Sequence, residues 1–166
     1  MIPIQKLEIE GVVMWDVTKF QDQRGWLMET FRLDFLEEAG LREYVPVMSY
    51  ISLTLPGIAR GPHEHLEQSD FFAFLGPSDF EVHLWDNRPE STSYGLHIKL
   101  LLGESRPACL IVPPRVVHAY KNVGGKDGLV LNFPNRLYAG RGKKEPVDEV
   151  RHENDPHSKF KLEDMP

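Results

Sequence analysis

The sequence predicts an all-β sandwich or barrel, and three observations carry that prediction. Short runs of β-branched and aromatic residues recur between turn signals, side chains within those runs alternate with a period of two, and a single stretch keeps helical spacing. The helical stretch is Leu33 to Ala39, where Phe35, Leu36 and Ala39 share a face and Gly40 supplies the stop. From Val47 to Leu55, one face carries Val47, Ile51, Leu53 and Leu55. The other carries Met48, Tyr50, Ser52 and Thr54, a composition suited to lining a polar cavity. Phe80, Val82 and Leu84 alternate with Glu81, His83 and Trp85, and the turn-rich Asp86 to Ser93 closes that strand. Leu96 to Leu102, Ala108 to Val112 and Gly128 to Phe133 read as further strands. Beyond them, the glycine-rich, basic Ala139 to Lys144 predicts a mobile loop, followed by an ordered and highly charged tail. No repeat of fixed period is present, which excludes solenoids and propellers.

A chain of 166 residues can bury one sizeable core, and residues 1–166 are expected to form one domain. The net charge of -6 is spread along the chain, so no basic face for nucleic acid is implied. Cys109 is the only cysteine, which rules out an intrachain disulfide, and its apolar neighbours predict buried packing. The N-terminal residues lack the pattern of a secretory signal, and no window approaches the roughly 20 apolar residues of a membrane span. A cytoplasmic enzyme or binding protein with no membrane partner is expected.

The chemistry concentrates in histidines. In GPHEHLEQSDFFAFLG (Gly61 to Gly76), His63 and His65 share one face of a strand, and PPRVVHAYKN (Pro113 to Asn122) delivers His118 after a proline turn. This arrangement resembles the two cupin motifs, with Asp70 where a glutamate is commonest and Arg115 in place of the glycine of the second motif. The resemblance implies a double-stranded β-helix, or jelly-roll, barrel with one short helix. By ligand type, His63, His65, His118 and Asp70 suit a divalent ion such as zinc, iron, nickel or manganese. The competing reading is that these imidazoles hydrogen-bond within a polar barrel.

From about Phe20 to Pro156, the order of segments is similar to that of the dTDP-4-dehydrorhamnose 3,5-epimerases. FQDQRGWLMETFR (Phe20 to Arg32) places Arg24 and Glu29 at the matching substrate-binding positions. GIARGPH (Gly57 to His63) matches the segment in which an arginine, here Arg60, contacts a diphosphate and a histidine, here His63, is the catalytic base. WDNRPESTSYG (Trp85 to Gly95) and the segment carrying His118 also correspond, and NDP (Asn154 to Pro156) makes Asp155 the implied partner that orients His63. Tyr138 falls at the family's tyrosine before the charged tail. The resemblance implies a nucleotide-sugar substrate, a homodimer, and proton transfer next to a ketone by an imidazole held by a carboxylate. The guanidinium forks of Arg24 and Arg60 suit a diphosphate.

Four departures from the family pattern stand out. Asn132 occupies the place of the proton-donating tyrosine, and Ser69 or Asp70 that of the enolate-stabilising lysine. Met48 and Tyr50 replace a glutamine and an asparagine, and His65 replaces a residue that ligates nothing. An ion held by His63, His65 and His118 would take over from the lysine, making His63 a ligand and leaving Tyr50, Tyr120 or Tyr138 to move protons. The alternatives are a metal-binding cupin isomerase or oxygenase, and a sugar-nucleotide-binding cupin without turnover.

Overall fold

A computed structural model describes residues 3–162 as two facing antiparallel sheets and a separate hairpin. The elements run β1 (Gln5–Lys6), β2 (Val13–Asp16), β3 (Lys19–Asp22), β4 (Gly25–Met28), α1 (Leu33–Glu38), β5 (Tyr50–Thr54), β6 (Ala59–Glu64) and β7 (Asp70–Gly76). They continue with β8 (Asp79–Asp86), β9 (His97–Gly103), β10 (Ala108–Val112), β11 (Val116–Asn122), β12 (Gly128–Asn132) and β13 (Val150–Arg151). Sheet I has the order β1-β2-β10-β7-β12-β5, and sheet II the order β13-β6-β11-β8-β9. Among the described residues, strands β3 and β4 pair only with each other.

The expected all-β barrel with one short helix is therefore what forms, and the predicted strands lie within a few residues of their observed bounds. The core lies between the sheets, where Met14, Phe72, Phe74, Leu110 and Val130 of sheet I meet Phe80, Val82, Leu84, Leu102 and Tyr120 of sheet II. Strand β7, DFFAFLG, is buried along its whole length because both of its faces are covered. Phe72 and Phe74 point inward, whereas Phe71, Ala73 and Leu75 point outward into a second cluster with Trp15, Ile111 and Leu36. Six residues of α1 are too few for an isolated helix. Packing holds it instead, through fully buried Leu36 and an edge-to-face contact of Phe35 on Trp15 at 5.2 Å.

The charged tail is ordered, as expected. Its Phe160 and Leu162 cover Trp85, Val117 and Ala119 on the outer face of sheet II. Upstream of it, Ala139 to Lys144 forms a turn-rich loop in which Ala139, Gly140, Gly142 and Lys143 adopt positive φ. The pairing of β13 with β6 sets Arg151 opposite His63, so the tail passes the histidine cluster on its way round the barrel. Among the described residues, no helix is long and apolar enough to cross a membrane.

Candidate active site

Strands β6 and β11 are neighbours in sheet II, in a register that sets His63 against His118 with ring centroids 4.5 Å apart. Gly61 makes this approach possible. At φ +81°, a Cβ there would lie 2.5 Å from the carbonyl oxygen of His118, so a side chain would drive the strands apart. His65 follows β6 directly, with its ring 5.9 Å from that of His63 and 6.0 Å from that of His118. Arg115 ties the turn before β11 to this corner, donating its backbone N–H to the His65 carbonyl at 2.8 Å. It does so at φ 61°, a left-handed conformation costing a side-chain-bearing residue about 1–2 kcal/mol, at the position where the cupin motif has glycine.

Asp70, at the start of β7 in sheet I, reaches across to this cluster. Its Oδ2 lies 3.1 Å from His118 Nε2 and 3.3 Å from His65 Nε2, while Oδ1 accepts from Gln68 Nε2 at 2.9 Å and Asn132 Nδ2 at 2.8 Å. Burial pushes the Asp70 carboxyl up, but the two imidazoles outweigh burial and hold it well below the usual carboxylate range. His118 donates Nδ1–H to the Val116 carbonyl at 3.0 Å, which turns Nε2 toward Asp70, although off the line of a hydrogen bond. His65 has an acceptor on each side, the Asp148 carbonyl at Nδ1 and Asp70 at Nε2, where the Gln68 amide nitrogen also lies at 3.2 Å. Burial lowers its pKa, yet these partners win and raise it to about 9, so the ring is an imidazolium at neutral pH. His63 behaves in the opposite way. Burial first, and then repulsion from His118, outweighs the attraction of Asp70 and, with a smaller repulsion from His65, depresses it to about 2, leaving a neutral ring.

A cavity of about 980 Å³ opens beside the cluster, a volume adequate for a ligand of nucleotide-sugar size. His63, His65 and Gln68 form part of its wall, and Arg60 and Tyr138 also line it. Arg60 is held by Thr54 Oγ1 at 3.0 Å and the Leu53 carbonyl at 2.8 Å. With Arg136, Arg141 and Arg151 it gives the cavity four guanidinium groups, and the last three were not anticipated from sequence. The face of β5 expected to line a polar cavity does so through Tyr50 and Ser52. His118 and Asp70 stand behind this wall, buried to 3% and 1% exposure, so His118 braces the site and does not face the cavity as a substrate-binding residue would.

Three expected residues lie elsewhere. Asp155 is exposed and spends its carboxylate on the backbone N–H of His157 at 2.9 Å, closing the turn that follows the single 3-10 turn His152–Asn154. The carboxylate facing His63 is that of Glu153, with Oε1 4.0 Å from Nδ1. Arg24 sits at the tip of the β3–β4 hairpin with a side chain 85% exposed and paired with Asp22, and Glu29 is 3.6 Å from Arg32; neither lines the cavity. Within one chain the hairpin contributes no residue to the cavity lining, and a motif match carries no information about the path of the chain. Asp148 was also missed. Its carboxylate accepts the N–H groups of Leu66, Glu67 and Gln68 at 2.8 to 2.9 Å and so fixes the segment that follows His65.

Asn132 is the hinge between Asp70 and Tyr50. It is buried, gives one amide hydrogen to Asp70 and the other to the Tyr50 hydroxyl at 2.7 Å, and accepts the Phe71 N–H at 3.2 Å. The donor atoms of His63, His65 and His118 all fall within 4.8 Å of one another, the spacing of a candidate metal site. Nitrogens around an ion at 2.0–2.1 Å sit ~3.4 Å apart, so these rings would draw inward to hold one.

Comparison with known proteins identifies the family and the fold. The chain is 35% identical over 131 residues to a probable low-salt glycan biosynthesis epimerase of Haloferax volcanii, covering 78% of this chain and 81% of that protein. It is 29% identical over 118 residues to the dTDP-4-dehydrorhamnose 3,5-epimerase of Shigella flexneri, covering 69% and 65%. Among solved structures, a dTDP sugar isomerase from Desulfovibrio desulfuricans superposes with a TM-score of 0.77 at 21% identity, covering 97% and 94% of the two chains. A Legionella pneumophila epimerase solved with dTDP-4-keto-L-rhamnose gives 0.76 at 18%, covering 91% and 77%. These two likenesses confirm the jelly-roll fold. The family model for dTDP-4-dehydrorhamnose 3,5-epimerase matches residues 6–141, and the chain therefore belongs to this family of sugar-nucleotide isomerases.

Proposed function

We propose that the chain, acting as one domain, epimerises a nucleotide-diphosphate 4-keto-6-deoxyhexose of the dTDP type at carbon next to the ketone. The observation that carries this reading is the meeting of His63 and His65 in the wall of one cavity, with the Glu153 carboxylate facing His63 and the Asp70 carboxylate facing His65. With Nδ1 turned toward Glu153, Nε2 of His63 is left to remove the proton, and the Glu153 charge favours the imidazolium that results. The positive charge of His65, whose two N–H groups face Asp148 and Asp70, stabilises the developing enolate through its field, the task the resemblance assigns to the family's lysine. Arg60, with Arg136 and Arg141, grips the diphosphate, and Tyr138 contacts the substrate. The test is deuterium incorporation next to the ketone of dTDP-4-keto-6-deoxy-D-glucose in heavy water. His63→Asn is expected to abolish it, and a wild type without incorporation refutes the reading.

A second reading concerns a cofactor. The convergence of His63, His65 and His118 on Asp70 supports binding of a divalent ion, and a buried His118 Nε2 without a hydrogen bond among the described residues adds to it. When bound, such an ion would supply Lewis-acid stabilisation of an enediolate, and His63 would be a ligand in place of a base. Asp70 and Asp148 already engage His65, which favours the metal-free arrangement. Metal analysis of untagged protein, with exchange assayed after chelation, separates the two: exchange that survives chelation rules out the metal reading. Oxygenase chemistry and binding without turnover have no comparable support. A homodimer is favoured by exposed Ile51 and Leu53 on the outside of edge strand β5, with exposed Leu55 just beyond it, and by Phe20, Trp26 and Leu27 on the hairpin. Sedimentation of the purified chain tests it. The lone buried Cys109 accords with a reducing, cytoplasmic setting.

A further inference from the structure

We infer that Tyr50 is the proton donor of this chain, its hydroxyl delivering a proton to the face of the sugar carbon opposite His63. The inference rests on the epimerase reading above and fills a role left open by Asn132, which as a neutral amide has no proton to give.

Inversion requires an acid and a base on opposite sides of one carbon. His63 belongs to sheet II, whereas Tyr50 begins β5 at the edge of sheet I, and both line the same cavity. Register makes the relation to the family position specific. Tyr50 pairs directly with Asn132 across β5 and β12, so both side chains project from the same face of sheet I. The phenol stands one strand to the side of the family's tyrosine, a displacement of about 4.8 Å, less than the reach of a tyrosine side chain.

Hydrogen bonding points the same way. Asn132 accepts the Phe71 N–H through Oδ1, so its other end, Nδ2, donates both to Asp70 and to the Tyr50 oxygen. The Tyr50 hydroxyl therefore accepts a bond from Asn132, and among the described residues it donates to none, which leaves its hydrogen for the substrate. The other tyrosines fit less well. Tyr120 lies on β11, in the same sheet as His63, and its hydroxyl is 3.0 Å from Ser52 Oγ. Tyr138 lies in the loop after β12, on neither sheet. Burial and the charge of Asp70 both raise the Tyr50 pKa, so the group keeps its proton until the carbanion forms.

The step balances. His63 takes the proton from carbon, and the bonding pair moves into the enolate. The O–H bond of Tyr50 then breaks as a new C–H bond forms on the far face, leaving a phenolate that accepts the Asn132 amide hydrogen. Tyr50 is 47% exposed at the cavity and regains a proton from water, while the His63 imidazolium returns one to water.

The test incubates wild type and Tyr50→Phe with dTDP-4-keto-6-deoxy-D-glucose in heavy water and reads deuterium next to the ketone and the epimerised sugar separately by NMR. His63 can return deuterium to the face it attacked, so the variant is expected to keep exchange within about threefold while epimer formation falls by about a hundredfold or more. Epimer formation at the wild-type rate in Tyr50→Phe overturns the assignment. So does a parallel fall of exchange and epimer, which would make Tyr50 a binding group. A wild type that exchanges no deuterium overturns the epimerase reading and this inference with it, whereas wild-type exchange combined with an unimpaired variant overturns the role of Tyr50 alone.

Discussion

Replacing Asp70 by asparagine keeps the side chain's shape and removes the negative charge that His65 and His118 face. The amide oxygen still accepts from Gln68 and Asn132, and the amide nitrogen can donate to neutral imidazoles, so the change isolates the charge. The consequence follows from proton linkage. His65 has a pKa of about 9 in the native state against an ordinary 6.5, a raised value, so its contribution to stability is full below pH 6.5 and lost as pH rises through 9. Integrating that shift gives roughly 3 kcal/mol at pH 6, between 2 and 3 kcal/mol at pH 7, and nearly nothing at pH 10. The His65 side chain is only 11% exposed, so solvent screening removes little of this. Relief from burying a carboxylate adds an offset that is nearly independent of pH in this range and cancels from the difference. Urea unfolding of metal-free wild type and Asp70→Asn should therefore show their stability gap moving by about 3 kcal/mol between pH 6 and pH 10, with the variant relatively less stable at the lower pH. Titration of the imidazoles by NMR should place His65 near 9 in the wild type and below 6.5 in the variant. A gap that stays constant with pH, or a wild-type His65 titrating near 6.5, would refute the ion-pair reasoning.

The remaining predictions concern neighbours of that pair. Because His63 is depressed to about 2, kcat/KM should carry no acid limb from the base between about pH 5 and pH 7, and a limb near 6.5 would mean the ring is more solvated than the structure has it. Gly61→Ala should cost about 2 kcal/mol or more in urea unfolding, since the new Cβ meets the His118 carbonyl at 2.5 Å on a backbone already at positive φ; a neutral result would place β6 and β11 farther apart. Glu153→Gln should lower kcat by about tenfold while Asp155→Asn leaves it within about twofold, and the reverse order would restore Asp155 as the partner of His63.

Period-two alternation made a good part of this site legible. It set Tyr50, Ser52 and Thr54 on one face of a strand and His63 with His65 on one face of another, and both faces meet the same region of the barrel. The choice between Glu153 and Asp155 was not legible, because it depends on where β13 pairs with β6, and a three-residue motif is silent on the path of the chain that carries it. The same holds for Arg24, which matches by motif yet rides on a hairpin paired only with itself. The bond network from Asp70 through Asn132 to Tyr50 joins residues 82 and 62 positions apart, a relation that only the strand order β7-β12-β5 creates.

That strand order also gives a physical reason why the two departures from the family's machinery occur together. Asn132 lies between Asp70 on β7 and Tyr50 on β5, bonded to both. A tyrosine at position 132 would lie beside the buried Asp70 carboxylate, and giving up its proton would create a second negative charge in a setting of low dielectric, which charge repulsion opposes strongly. A neutral amide avoids that conflict while donating to both neighbours, and it keeps the phenol one strand farther from the carboxylate. Asp70 in turn has its counter-charge in His65, which reaches the cavity wall while Asp70 remains behind it. In the proposed mechanism the positive charge that the family resemblance assigns to a lysine comes from His65, two residues beyond the proposed base His63, and an acid on the facing sheet is compatible with that charge distribution.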